Sequence, residues 1–442
     1  MFGYSMVQMV RANAHKLDWP LRESVLQLYK PFKWTPCFLH QFFETKVKNR
    51  KKISVIIEFE EGCHETGFQM AGEVLQKEKR SKLKSSFNKI NCCSAEVTPS
   101  ALDSLLSACS DIRKVYLNRE VKALLDTATE ASHAKEVVRN GKTLTGKGVT
   151  VAVVDTGIYP HPDLEGRIIG FADMINQKTD PYDDNGHGTH CAGDVASSGA
   201  SSSGQYRGPA PEANLIGVKV LNKQGSGTLA DIIEGVEWCI QYNEDNPNEP
   251  INIISMSLGG DALRYDNEQE DPLVRAVEEA WNAGIVVCVA AGNSGPDSQT
   301  ISSPGVSEKV ITVGALDDNN TASSDDDTVA SFSSRGPTVY GKEKPDILAP
   351  GVNIISLRSP NSYIDKLQKS SRVGSQYFTM SGTSMATPIC AGIAALILQN
   401  NPDLTPDEVK ELLKNGTDKW KDEDPNVYGA GAVNAENSVT GQ

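Results

Sequence analysis

Residues Gly148–Ile158 read GVTVAVVDTGI, and this run restricts the folds open to the chain more than any other. From Val149 to Val154 both alternating faces are apolar apart from Thr150, so a strand here is buried on both sides. That condition is met inside a parallel sheet covered by helices. The run then ends in Asp155. A buried carboxylate is costly unless it is paired and hydrogen-bonded, so Asp155 either caps the next turn or meets a partner elsewhere in the chain.

The rest of the chain fits such a sheet. Strands are expected at Val149–Val154, Asn214–Val220, Ile251–Met256, Ile285–Ala290 and Val310–Val313, with helices at Leu229–Gln241 and Leu273–Ala283. Alternation of this kind implies a parallel sheet flanked by helices, and functional groups collect at the carboxyl ends of its strands. The 442 residues leave room for a second, smaller domain. From Lys52 the pattern is β-α-β-β-α-β: ISVIIEF, FQMAGEVLQKE, KLKSSFNKI, CCSAEVT, PSALDSLLSAC and IRKVYLNREV. This is a small ferredoxin-like α+β module. The expected division is an N-terminal extension at 1–50, the module at 51–125 and the α/β domain at 126–442.

Charge and cysteine usage narrow the class. Residues 1–120 carry 19 Lys+Arg against 13 Asp+Glu, and the remainder carries 24 against 44. The basic charges are dispersed without interleaved aromatics and the bulk is acidic, which argues against nucleic acid and for one segment folding against the other. No apolar run approaches the roughly 18 residues of a membrane span, so no membrane partner is expected. The first twenty residues lack a basic region, an apolar core and a cleavage site, and the nine cysteines show no CxxC pair. Both features lead to the expectation of a cytoplasmic protein with reduced thiols.

Three stretches carry chemistry: VVDTGI at Asp155, DDNGHGTHCAG around His187 and GTSMATP around Ser384. A serine hydroxyl becomes a nucleophile when an imidazole takes its proton, and a carboxylate fixes the tautomer of that imidazole. HGTHCAGDVA reads as a helix starting beside His187, and Ser384 precedes a helical run, so its hydroxyl and N–H face outward from a helix N-terminus. A metal set of His187, His190 and Cys191 is the weaker reading, because no acidic ligand is suitably spaced with them. Asn293 follows the strand IVVCVAAG, where a neutral amide could donate to an oxyanion together with the Ser384 N–H.

In the order Asp, His, Ser these motifs resemble the subtilisin-like serine proteases, or subtilases. SMSLGG (Ser255–Gly260), VAAGNSG (Val289–Gly295), ASFSSRGP (Ala330–Pro337) and KPDILAPG (Lys344–Gly351) add to the resemblance, which spans about residues 125–437. It looks closest to a cytoplasmic bacterial type. The resemblance implies a serine endopeptidase of broad specificity acting on proteins or peptides, with Asp155 orienting His187, His187 as general base and then acid, and Ser384 attacking. It assigns Asn293 to the oxyanion hole, substrate binding to Ser257, Leu258, Gly259, Gly260, Ala291 and Gly292, and a structural place to His190. A narrow processing protease and a catalytically silent peptide-binding protein on the same fold remain alternatives.

No cofactor is implied for catalysis. The family's structural calcium is left open, because the loop following the histidine helix, SSGASSSGQYRG, departs from the family pattern opposite Asp163, and hard cations prefer carboxylates and carbonyls. The module at 51–125 resembles the family's inhibitory propeptide, with a tail near Val121–Asp126 expected to enter the cleft. With only Ser294 beside Asn293, large apolar or aromatic residues are expected before the cleaved bond. Asp183 and Asp184 could favour a basic residue one position further back.

Overall fold

The computed structural model describes residues 5–28, 40–88, 91–118, 125–419 and 424–439. Its chain separates into two units, Met1–Lys122 and Ala123–Gln442. In the first, helices α1 (Ser5–Ala12), α2 (Trp19–Gln27) and α3 (His40–Arg50) precede β1 (Ile53–Phe59), α4 (His64–Lys77), β2 (Lys82–Phe87), β3 (Cys92–Val97), α5 (Pro99–Ala108) and β4 (Ile112–Leu117). Burial alternates along β1 because ISVIIEF places Ile53, Val55, Ile57 and Phe59 on one face. The order β2-β3-β1-β4, antiparallel throughout, is the ferredoxin-like arrangement. Thr98 caps α5 by accepting from Ala101 N–H. The described strands β2 and β4 end at Phe87 and Leu117; Lys89, Ile90 and Arg119–Val121 of the expected strands lie outside the described residues.

The described part of the N-terminal extension packs against the module. Met6, Met9, Val10, Leu21 and Val25 are buried in the same apolar core as Val55, Ile57 and Leu105. Asp18 N–H donates to Val115 O at 3.0 Å and Val115 N–H to Lys16 O at 2.7 Å, so this segment runs beside β4. A short amphipathic helix gains little stability alone and takes most of it from burying its apolar face.

In the second unit β5 (Thr150–Asp155) is followed by β6 (Ile168–Asp173), α6 (His187–Ala196), β7 (Asn214–Lys219), α7 (Leu229–Asp245), β8 (Ile253–Met256), α8 (Pro272–Asn282), β9 (Val286–Ala290), β10 (Ile311–Asp317), β11 (Thr328–Val329), β12 (Ile347–Pro350), α9 (Thr383–Asn400) and α10 (Pro406–Asn415). The sheet order is β11-β10-β9-β8-β5-β7-β6, with β12 also paired to β10. Every pairing is parallel except that of β11. All six residues of β5 are buried. Chain order reverses beside β5, so its carboxyl end, Asp155, stands at the switch point where crevices form in such sheets. The edge strand β6 was not expected: most of IIGFAD is half-exposed or exposed, so it lacks the apolar run of its neighbours.

A buried charge cluster locks β10, β12 and α10 together. Asp346 Oδ2 accepts from Lys344 Nζ at 2.6 Å and from Thr312 N–H at 2.8 Å, and Oδ1 lies 3.0 Å from Lys410 Nζ. Lys410 also donates to the carbonyls of Glu308, Lys309 and Val310 at 2.8, 3.1 and 3.0 Å. Removing one member of a buried ion group leaves the others uncompensated. Asp346→Ala is therefore expected to lower the unfolding free energy of this unit by about 3–5 kcal/mol, read from the shift of a denaturation midpoint at constant slope.

Candidate active site

Asp155 is fully buried, and its carboxylate is satisfied on the spot. Oδ1 accepts from Thr156 N–H at 2.7 Å, and His187 Nδ1 lies 2.8 Å from Oδ1 and 2.9 Å from Oδ2. A protonated Nδ1 donating to this carboxylate leaves Nε2 as the acceptor. Burial disfavours charge on the imidazole, but the adjacent Asp155 outweighs it and raises the His187 pKa well above its ordinary value. Gly188 allows this approach: a Cβ there would meet Gly157 O at 2.2 Å and Asp155 Cβ at 3.2 Å.

The start of α6 is anchored by Asp183, whose importance was missed in the sequence. Its Oδ1 accepts from the N–H groups of Asn185 and Gly186 at 3.0 and 2.8 Å and from Thr156 Oγ1 at 3.0 Å. Its Oδ2 accepts from Thr189 N–H at 2.9 Å and Thr189 Oγ1 at 2.6 Å. The signal was present in Asp-Asp-Asn-Gly, a turn sequence placed just before a helix. Asp184 is also engaged, by the buried Lys219 of β7 at 2.9 Å, which further donates to Thr156 O at 2.6 Å and Leu221 O at 2.8 Å. Asp183, buried and fully engaged, is not available to a basic substrate residue, which corrects that part of the expectation.

Ser384 stands at the second position of α9. Pro388 lies inside the helix and lacks the N–H that would normally bond the carbonyl four residues back. Ser384 O is instead satisfied by Ser257 Oγ at 2.7 Å and Cys191 Sγ at 3.5 Å. The Ser384 hydroxyl donates to Ser257 O at 3.1 Å, with no bond to His187 among the described residues. Nucleophile-to-base bonds are often long before substrate binds. Asn293 is held by its carbonyl: Oδ1 accepts from Thr383 N–H at 2.9 Å and Thr383 Oγ1 at 3.1 Å. That fixes the amide orientation and leaves Nδ2 as the free donor.

His187, Asn293 and Ser384 line one cleft of about 630 Å³ with Ser257, Leu258, Gly259, Gly260 and Gly292. Gly292 has φ +107°, and a Cβ there would meet Ser302 Oγ at 2.3 Å. Ala291 is buried beside it, outside the cleft wall, packed with Val274, Ile301 and Val306. Gly260 exchanges both backbone hydrogen bonds with Ser303 at 3.0 Å. The N–H and C=O groups of Leu258 and Gly259 have no partner among the described residues, so the open backbone edge falls there.

The metal reading does not gather its residues. His190 turns away, with Nδ1 3.0 Å from Asp194 Oδ2 and Nε2 3.2 and 3.0 Å from the carbonyls of Ile354 and Phe378. Asp155, His187 and Cys191 do converge, with one ligand atom of each within 4.8 Å of the others. Burial pushes the Cys191 thiol up to about 11, so it packs as a thiol under the imidazole. The Asp163 carboxylate is surrounded by donors: Ser201 N–H at 2.8 Å, Ser197 Oγ at 3.2 Å and Tyr377 OH at 2.6 Å.

The sequence pattern of the subtilase family matches residues 146–431. The chain is 95% identical over 442 residues to the serine protease AprX of Bacillus subtilis (strain 168), covering 100% of both. It is 35% identical over 349 residues to a thermostable alkaline protease of Halalkalibacterium halodurans, covering 79% of this chain and 83% of that one. Among solved structures, a cold-adapted subtilisin-like serine proteinase superposes with a TM-score of 0.53 at 31% identity, over 71% of this chain and 99% of the other. With these matches spanning the whole second unit's sheet and cleft, the chain belongs to the subtilase family and is a serine endopeptidase.

Proposed function

We propose that Ser384 is the nucleophile, His187 its general base and then acid, and Asp155 the group that orients and charges the imidazole. The observation that carries this reading is the bond of His187 Nδ1 to both Asp155 oxygens, which leaves Nε2 for the cleft that Ser384 lines. On substrate binding the Ser384 hydroxyl exchanges its bond to Ser257 O for one to Nε2. Its oxygen attacks the peptide carbonyl as Nε2 takes the proton. The resulting oxyanion is met by Asn293 Nδ2 and Ser384 N–H, and Nε2 returns the proton to the departing amine. Water then repeats the sequence on the acyl-enzyme.

The free edge at Leu258 and Gly259 suits an extended peptide, pairing as an added strand. The cleft is also lined by Leu258, Ala290, Gly292, Ser294 and Ser302, with Asp261 as its one carboxylate, and this mostly uncharged lining supports preference for large apolar or aromatic residues before the cleaved bond and broad specificity otherwise. The donors around Asp163 support reading that loop without a calcium: hydroxyl and N–H groups pointing at a carboxylate occupy the place where a cation would need oxygen acceptors.

The cytoplasmic assignment rests on the eight described cysteines, all free thiols, and no described helix is long and apolar enough to cross a membrane. The N-terminal unit serves as a tethered inhibitor: its sequence carries an excess of basic residues while that of the catalytic unit is acidic, and opposite charges favour docking. Of the tail expected to enter the cleft, near Val121–Asp126, residues 121–124 lie outside the described residues.

Ser384→Ala is expected to abolish peptide hydrolysis and labelling by a fluorophosphonate while the circular dichroism stays unchanged. Asn293→Leu should lower kcat by about 10²- to 10³-fold with little change in KM, the magnitude this enzyme class loses with one oxyanion donor. Activity requires neutral His187, and its pKa is raised, so kcat/KM should fall as pH drops through that value. Asp155→Asn removes the charge that raises it, which moves the acid limb of the pH profile to lower pH and cuts turnover by about 10⁴-fold. Residues 1–125, prepared separately, should inhibit the catalytic chain more strongly at low salt than at high salt; no inhibition at either salt would leave the unit an accessory domain.

A further inference from the structure

The β10–β11 hairpin brings carboxylates into opposition with nothing to neutralise them. Its ladder pairs Leu316 with Val329 and Asp317 with Thr328, so the next residues facing each other are Asp318 and Asp327. Asp318 is 2% exposed. Its Oδ1 accepts from Asn320 N–H at 3.0 Å, while its Oδ2 is buried without a hydrogen-bond partner, as is Oδ1 of the half-buried Asp327. Asp317 and Asp326 flank the pair and engage only the loop itself, through Asn319 N–H at 3.1 Å and Thr321 Oγ1 at 2.7 Å. Among the described residues no lysine or arginine pairs with any of the four, and Asp418 adds further negative potential at Asp327.

Like charges directly opposite on a ladder destabilise it, and a buried carboxylate oxygen without a partner is costly. Hard cations, in contrast, seek clustered carboxylate oxygens with loop carbonyls and water to complete the shell. We propose that the loop from Asp317 to Asp327 is a binding site for a hard divalent cation of the calcium class, with Asp318 Oδ2 and Asp327 Oδ1 as its inner ligands. A loop supplying irregularly placed oxygens suits calcium better than magnesium, which demands near-ideal octahedral geometry. Burial, with the neighbouring Asp317 and Asp326, pushes Asp318 up to about 6, and burial with the adjacent Asp318 pushes Asp327 up to about 7. The site lies apart from Asp163, where the carboxylate is already surrounded by donors.

The test uses the full chain carrying Ser384→Ala, which prevents self-digestion, in equilibrium dialysis against Ca²⁺ at pH 8. Asp318→Asn and Asp327→Asn are each expected to lose one bound Ca²⁺ per chain relative to the parent. In chelator both should melt at a higher temperature than the parent, because the repulsion is gone, and both should gain less from added Ca²⁺. Where Asp318→Asn fails to fold, the half-buried Asp327→Asn carries the comparison. An equal number of bound Ca²⁺ in parent and variant overturns the proposal. If the variant is also stabilised in chelator, the two carboxyls share a proton instead.

Discussion

A buried carboxylate at the end of the central strand is the constraint around which the catalytic unit is arranged. Desolvating Asp155 is affordable only because Thr156 N–H and His187 Nδ1 reach it directly. Those partners need the first turn of α6 within van der Waals distance of the strand end, which Gly188 permits. They also need α6 to begin at one position, and Asp183 fixes it with five donors. Lys219, the ladder partner of Asp155, then holds the carbonyl of Thr156 and the carboxylate of Asp184. The charge on the strand end thus propagates outward as a shell of fully paired polar groups, the condition under which a buried network rigidifies a site.

The opposite wall follows from a different defect. Pro388 deprives Ser384 O of its helical partner, and Ser257 Oγ supplies one across the cleft. That bond ties the nucleophile's helix to the chain following β8, whose next two residues carry the open backbone edge. Thr383 serves the same end on the other side, pinning Asn293 by its carbonyl oxygen. The donors proposed for the oxyanion are preorganised by the same turn that presents Ser384, so little reorganisation would be left for the reaction itself.

What could be read from the sequence follows from how local each signal is. Val149–Asp155 declared itself because six neighbouring residues share one environment, and the three catalytic stretches did so because turn glycines surround each of them. Asp183 and Lys219 were missed because their meaning lies in partners brought by other strands: Lys219 ends an apolar run and looks like an ordinary surface lysine until Asp184 is set beside it. The edge strand β6 was lost for the opposite reason, its half-exposed face erasing the apolar pattern. The packing of the N-terminal helices was not legible because their apolar residues find their core only after β1 and β4 pair.

The chain treats buried charge in two ways, and the contrast orders its second unit. At Asp346 the counter-charge is covalent: two lysines, one from α10, enter the core, and three backbone carbonyls receive the ammonium of Lys410. At Asp163 hydroxyl and amide donors, helped by the neighbouring His161, hold the carboxylate pKa below its ordinary value despite burial. Both solutions operate at any ion concentration. The hairpin at Asp318 and Asp327 has neither lysine nor donor among the described residues for its inner oxygens, so its stability depends on what the solution provides. With sites such as Asp346 and Asp163 neutralised internally, the hairpin can respond to the ionic composition around it with little risk to the sheet, because it lies at the sheet's far edge, three strands from Asp155 in the order given above.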